Sequence, residues 1–252
     1  MSNLIRNPIV ILVLTFFTMW LSAQIGAFFR KRQKELEEGE RQDRDFVVAA
    51  TLTLLALIIG FSFSMAIGRY DQRKKYEEAE ANAIGTEYVR ADFLPDAARL
   101  RVLLRGYLDQ RIRFYQTVDE RELQQTNART AELQTALWST VRVPGAAPTP
   151  VLALVVSGMN DVLNSQSYTQ AAWWNRIPIG AWILMLAIAI CSNLLVGYSA
   201  HRTQAGVIRL LVLPLVLCIS LFFMADIDSP RRGIIRVVPQ NLVSLAESLH
   251  GY

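Results

Sequence analysis

Four long stretches of the chain carry no charged residue: Asn7 to Phe29, Phe46 to Gly68, Ile177 to Ala200 and the shorter Leu210 to Ala225. A bilayer core about 30 Å thick is crossed by roughly 20 helical residues, and in lipid every backbone N–H and C=O has to be bonded within the segment. Three runs meet that length outright. The fourth meets it when it starts at Val207 and Arg209 reaches out to the headgroups, as long basic side chains near helix ends do. Hydrophobic residues make up 52% of the 252, and these runs hold most of the excess over an ordinary soluble domain. They predict an all-α, polytopic membrane protein with four transmembrane helices, near residues 8–29, 46–68, 177–199 and 207–225.

The first run has some features of a signal peptide, with Arg6 before it and small residues in "LSAQ". It stays apolar to Phe29 and is closed by "RKRQK", which is the flank of a retained span. Residues 1–68 are therefore read as a first transmembrane hairpin and 177–225 as a second. Between them 69–176 forms a helical soluble domain with a stalk, and 226–252 forms a C-terminal tail.

The interspan region Arg69 to Arg176 holds 14 Lys/Arg and 13 Asp/Glu, a net charge of +1. That balance provides no basic surface of the kind nucleic acid needs, so nucleic acid is excluded as a partner. Leu100, Leu103, Leu104, Tyr107, Leu108, Ile112 and Tyr115 recur at helical spacing, and so do Leu152, Val155, Val156, Met159 and Leu163. Leu123, Thr130, Leu133, Leu137 and Val141 mark a helix between them. Pro95 and "PGAAPTP" at 144–150 are the breaks. Cys191 and Cys218 both lie in predicted spans without metal-ligand spacing, and His201 and His250 have no metal partner at helical spacing. No nucleophile, base or phosphate-cradling loop can be assembled, so neither an enzyme nor a cofactor is expected and no metal site is assigned.

The second span has more to say. Ala56, Gly60, Ser64 and Gly68 recur every four residues, the small-xxx-small pattern that lets membrane helices approach closely. Such a stripe serves packing, inside the protomer or between subunits. It also suits a pore helix, in which Phe61 or Phe63 would form a hydrophobic constriction and Ser62 or Ser64 would offer hydroxyls to an ion. Past Gly68 no proline or glycine intervenes before Gly85, so the helix is expected to leave the membrane as a stalk. Arg69, Arg73, Lys74 and Lys75 follow at headgroup depth as a lipid anchor, or else Arg69 and Asp71 contribute charge at a pore mouth. On the stalk, Glu80, Asn82, Glu87 and Arg90 read as a solvated face or as subunit salt bridges, with Glu87 and Arg90 spaced to pair. After the fourth span, Asp226 and Asp228 in "DIDSPRRG" fit turn and cap chemistry, or a carboxylate pair for a divalent cation or for Arg231 or Arg69.

The stretch from "LLALIIGFSFSMAIGRYDQRKKYEEAEANAIGTEYVRADFLP", with "NRIP" before the third span and "ADIDSPRRGIIRV" after the fourth, resembles a family of four-span bacterial membrane proteins labelled bestrophin-like. Through "GFSF" and "RYDQR" the resemblance extends distantly to bestrophin channels. The chain differs from them in having "QRKKYEE" rather than aromatic residues after "RYD". The resemblance implies a homo-oligomer of five subunits in the bacterial inner membrane. It also implies a pore for ions, mostly anions, lined by the second span with Phe61 and Phe63 at its neck, and a cytoplasmic interspan domain. The basic residues alone do not orient the chain, with nine near the membrane on the face holding the long region and eight on the other. The expected function is a bestrophin-like oligomeric ion channel; the alternative is a non-conducting membrane scaffold whose helical domain binds a protein partner.

Overall fold

The computed structural model describes residues 8–31, 38–142, 149–199 and 204–250. Their regular structure is helical: α1 (Pro8–Lys31), α2 (Glu38–Arg90), a 3-10 turn (Ala91–Phe93), α3 (Ala97–Gln116), α4 (Glu120–Val141), α5 (Pro150–Trp174), α6 (Ile179–Ser199), α7 (Gln204–Asp228) and α8 (Gln240–His250). The basic flank at 32–34, the breaker at 144–148 and the loop with His201 and Arg202 lie outside the described residues. Among the described residues four stretches are long and apolar enough to cross a membrane, within Leu12–Arg30, Gln42–Phe93, Pro150–Ser199 and Leu210–Asp228. By that helix composition the chain is a multi-pass membrane protein. Contacts divide it into two units, residues 1–68 with 176–229, and residues 69–175 with 230–252.

In the first unit α1 packs on α6 and α7, and α6 on α7. The α1–α6 contact is made backbone to backbone. A Cβ on Gly26 would stand 2.0 Å from the Leu194 carbonyl oxygen, and one on Gly197 would stand 1.9 Å from that of Ala23, so only glycine fits at either place. Around these glycines the Ser22 hydroxyl donates to the Ile190 carbonyl at 2.7 Å. Asn193 Nδ2 of α6 donates to Met19 Sδ of α1 at 3.5 Å. Apolar helices gain nothing from water exclusion inside lipid, so close van der Waals approach and such bonds are what hold them. Pro214 lies inside α7 without ending it, as membrane helices allow when neighbours satisfy the freed carbonyl.

In the second unit the expected amphipathic helices are α3, α4 and α5, with Leu100, Leu104, Leu137, Val155 and Met159 buried in a common core. Their starts follow cap chemistry. Asp119 accepts from the amides of Arg121 at 2.9 Å and Glu122 at 3.1 Å, and those bonds, with Glu122 first, hold its carboxyl below the usual range. Thr149 accepts from Leu152 N at 3.1 Å, with Pro150 opening the first turn of α5. α2 runs through Gly85 unbroken to Arg90. The chain then turns at Leu94, whose φ of −102° and ψ of 148° are the extended values that a following proline imposes. The tail adds a helix that apolar spacing did not bring out, α8, which packs on α3 and buries Leu242 fully.

Candidate functional site

α2 carries most of the residues that the sequence singles out, and in each unit it has one face turned inward. In the first unit that face is Leu55, Ser62 and Ala66, at 1%, 4% and 0% exposure. Their spacing of seven and four residues keeps them in one line on a helix of 3.6 residues per turn. The small-residue stripe lies on the other side. Ala56, Gly60, Ser64 and Gly68 are all exposed, and a Cβ on Gly60 or Gly68 would meet nothing within 4 Å. Phe61 joins them at 63% exposure, while Phe63 is half-buried. The structure thus brings Gly60, Phe61 and Ser64 together on the outward side and turns Ser62 inward.

In the second unit the inward side of α2 is Arg73, Glu77, Glu80, Ile84 and Glu87, each at 1% exposure or less. Its ions are used at helix ends and in a buried network. Arg73 Nε donates to the Ala172 carbonyl and its Nη2 to that of Asn175, both at 3.1 Å, where the last carbonyls of α5 have no partner in their own helix. Glu77 does the converse at the start of α8, accepting from the Leu242 amide at 2.9 Å and from Asn241 Nδ2 at 2.6 Å. A cation at a C-terminus and an anion at an N-terminus both suit the helix dipole.

Glu80 lies fully buried against Arg111 of α3, whose Nε donates to Oε1. Thr169 Oγ1 and the Tyr115 hydroxyl donate to Oε2 at 3.2 and 3.5 Å. Burial is the largest single influence on Arg111 and opposes its charge, but the charge and hydrogen bond of Glu80 together with Tyr107 and Tyr115 outweigh it, and the guanidinium pKa is raised. Burial, then the negative charge of Glu80, push the Tyr115 phenol well up. The guanidinium of Arg111 also stacks on Phe114, 4.4 Å from its ring centre. Arg231, from the tail, lies over Phe114 at 4.5 Å and Trp173 at 4.4 Å. Its Nη1 donates to the carbonyls of Phe114 at 2.7 Å and Thr117 at 3.1 Å.

Glu87 is built differently. Its side chain is fully buried, yet neither oxygen has a hydrogen bond, and Arg90 Nη1 stands 3.8 Å away. A Cβ on Gly158 of α5 would collide with the carboxylate at 2.0 Å, so glycine makes the space. Glu87 lies 19 residues past Gly68, outside the uncharged part of α2. Burial pushes its carboxyl up to about 7, with Arg90 pulling down and Asp161 pushing up.

The remaining candidates are dispersed. Arg69 is half-buried with Nη1 unpartnered, and Asp71 and Asn82 are exposed. Asp228 accepts from the Ile177 amide at 3.0 and 3.2 Å. It therefore ties the end of the fourth span to the approach of the third, rather than capping its own turn. Asp226 is buried beside it in sequence. Among the described residues no three His, Cys, Asp or Glu side chains gather as a metal-holding group. The residues that sequence patterns passed over are Glu77, Arg111 and Thr169, and Arg73, expected in a lipid anchor, is instead buried because carbonyls at the end of α5 accept from its guanidinium. On α2 the signal is a seven-residue recurrence, Arg73, Glu80, Glu87, interleaved with Glu77 and Ile84. A hydrophobic pattern reads it as outward because its members are charged.

A family model described as Bestrophin-like domain matches residues 10–242. A comparison with curated proteins finds no match. Two crystal structures are similar in fold. One is a membrane protein with a proline-to-alanine substitution, at a TM-score of 0.67 and 11% identity over 97% of each chain. The other is an aspartate-to-alanine variant of a bacterial bestrophin homolog from Klebsiella pneumoniae, at a TM-score of 0.62 and 12% identity over 99% of this chain and 98% of that one.

Proposed function

Because the chain belongs to the Bestrophin-like family, we propose that it is an oligomeric membrane ion channel in which α2 of each subunit faces a common axis. One observation carries this. The face of α2 best shaped for close helix approach, with Gly60 and Gly68, is the one left without any neighbour within 4 Å. A second copy supplies that neighbour, and a symmetric ring of five, as in the bestrophin resemblance, closes the set. Phe61, or Phe63 on the other flank of the stripe, forms the hydrophobic neck. Ser64 offers its hydroxyl, and Arg69 with Asp71 sets the charge at the mouth, favouring anions where Arg69 faces the lumen. Residues 69–176 form a soluble helical domain on the cytoplasmic side of the bacterial inner membrane. There Glu80, Glu87 and Arg90 stiffen the stalk, Asn82 faces the lumen, and Asp226, Asp228 and Arg231 hold the tail.

Purified protein in planar bilayers is expected to give discrete currents. Phe61→Ala with Phe63→Ala is expected to raise conductance or leak, and Arg69→Glu to shift the reversal potential toward cations. Silent bilayers across salt, pH and calcium, with the oligomer intact by mass, would overturn the channel. The second reading, a non-conducting scaffold for a protein partner, draws on Val89, Phe93 and Val102, which are 66%, 58% and 68% exposed on the helical domain.

A further inference from the structure

In the first unit an apolar crevice of about 610 Å³ is lined by Ala49 and Leu52 of α2 and Val212 and Val216 of α7, and it ends at Arg44 and Ser199. Its size falls within the roughly 300–1,000 Å³ of small-molecule sites. Along α2 it runs from Arg44 to Leu52, eight residues, or ~12 Å of helix. Arg44 and Asp45 are the last charged residues before 23 uncharged ones, so the polar end of the crevice stands where a membrane span begins and its apolar end lies deeper in the span.

The polar end is built and incomplete. The Arg44 side chain is only 10% exposed. Its Nε and Nη2 both donate to Asp45 Oδ1, at 3.2 and 3.1 Å. Its Nη1 is buried with no hydrogen-bond partner, and so is the Ser199 hydroxyl. A desolvated guanidinium N–H without an acceptor is costly, and the Ser199 hydroxyl, which lines the same crevice, adds a second donor. Two donors above an apolar crevice match a phosphate above an acyl chain. The Asp45 carboxylate limits the choice further. It is 67% exposed and takes both Arg44 bonds on one oxygen. A headgroup with net negative charge would be repelled by it, whereas one carrying its own ammonium would meet it.

We propose that this crevice binds one membrane phospholipid with a zwitterionic, primary-amine headgroup, of the phosphatidylethanolamine class. One acyl chain lies against Ala49, Leu52, Val212 and Val216. The phosphate accepts from Arg44 Nη1 and Ser199, and the ammonium faces Asp45. The site is independent of whether the protein conducts.

Native mass spectrometry of the delipidated full-length protein, titrated with phosphatidylethanolamine, phosphatidylglycerol or phosphatidylcholine in mild detergent, tests this. Wild type is expected to retain a phosphatidylethanolamine adduct at roughly tenfold lower lipid concentration than the other two, a difference of about 1.4 kcal/mol. Arg44→Ala and Ala49→Phe, which fills the crevice from an exposed position, are each expected to abolish that preference with helicity unchanged. Asp45→Asn is expected to move it toward phosphatidylglycerol. Equal retention by wild type and Ala49→Phe would overturn the proposal. So would a wild-type preference for phosphatidylglycerol, or adducts found on monomer but never on oligomer, which would assign the crevice to a second copy.

Discussion

The first unit holds two small-residue stripes on apolar helices, and they meet opposite fates. On α1 and α6, Gly26 and Gly197 are pressed against main chain at 2.0 and 1.9 Å to a hypothetical Cβ, whereas on α2 Gly60 and Gly68 have open space. The second unit repeats the contrast with carboxylates. Glu80 and Glu87 lie seven residues apart on one buried face of α2, but Glu80 receives Arg111, Thr169 and Tyr115 while neither oxygen of Glu87 receives a hydrogen bond. A residue pattern states what a surface can accept. Whether the protomer itself supplies the partner depends on what the fold brings opposite.

The largest effect on the protomer is expected at the closed stripe. Gly26→Leu or Gly197→Leu drives a side chain into backbone that cannot rotate away, well beyond the ~1–3 kcal/mol of ordinary overpacking. Each should abolish monodisperse, folded protein in detergent, as read by size-exclusion chromatography and circular dichroism. Wild-type melting of either variant would dissolve the contrast.

Next comes the partnered carboxylate. Arg111→Met leaves Glu80 buried with only hydroxyl donors and should cost about 3–5 kcal/mol in a denaturant melt. Glu80→Gln combined with Arg111→Met should recover part of that loss, because it removes the stranded charge as well.

A smaller, pH-dependent effect is expected at Glu87. Its carboxyl is pushed up to about 7 from an ordinary 4.5, so the folded state holds its proton more tightly than the unfolded chain does. Its stabilisation is therefore fully present below pH 4.5 and is lost as pH rises to about 7. Glu87→Gln should remove that slope, worth ~3 kcal/mol across the window, from melting temperature measured against pH. A slope unchanged in the variant would show that other groups carry it.

The smallest effect on the protomer should come from the open stripe. Gly60→Leu with Gly68→Leu meets no atom within 4 Å and replaces poor helix formers by a good one. The helical content should stay as it was or rise slightly. The mass of the assembly, read by light scattering in mild detergent, should fall toward the monomer. A variant that keeps the wild-type assembly mass would mean that the stripe faces lipid or the lumen rather than a second copy.

Apart from α8 in the tail, the helices themselves were legible because their cause is local. An uncharged run of 20 or more residues has to satisfy its own backbone in lipid, and apolar residues at three and four spacing have to share a face; both follow from the chain without knowing its neighbours. Cap residues such as Asp119 and Thr149 are local in the same sense. The polar interior was not legible. Arg73 looks like a lipid anchor in sequence, and the acidic residues Glu77, Glu80 and Glu87 look like a solvated stalk. The first three are buried because carbonyls of α5, an amide of α8 and the guanidinium of Arg111 arrive from 31 to 165 residues away, and Glu87 because Gly158 of α5 leaves it room. Asp228 had the residue type of a turn cap and instead accepts from Ile177, 51 residues distant. Local chemistry determined which segments are helices, which of them are apolar enough to cross a membrane, and which family the chain resembles. Only the tertiary structure decided which of two alike stripes is closed within the protomer and which of two alike carboxylates has partners, because the cost of an unpaired ion or an empty groove depends on what stands opposite it.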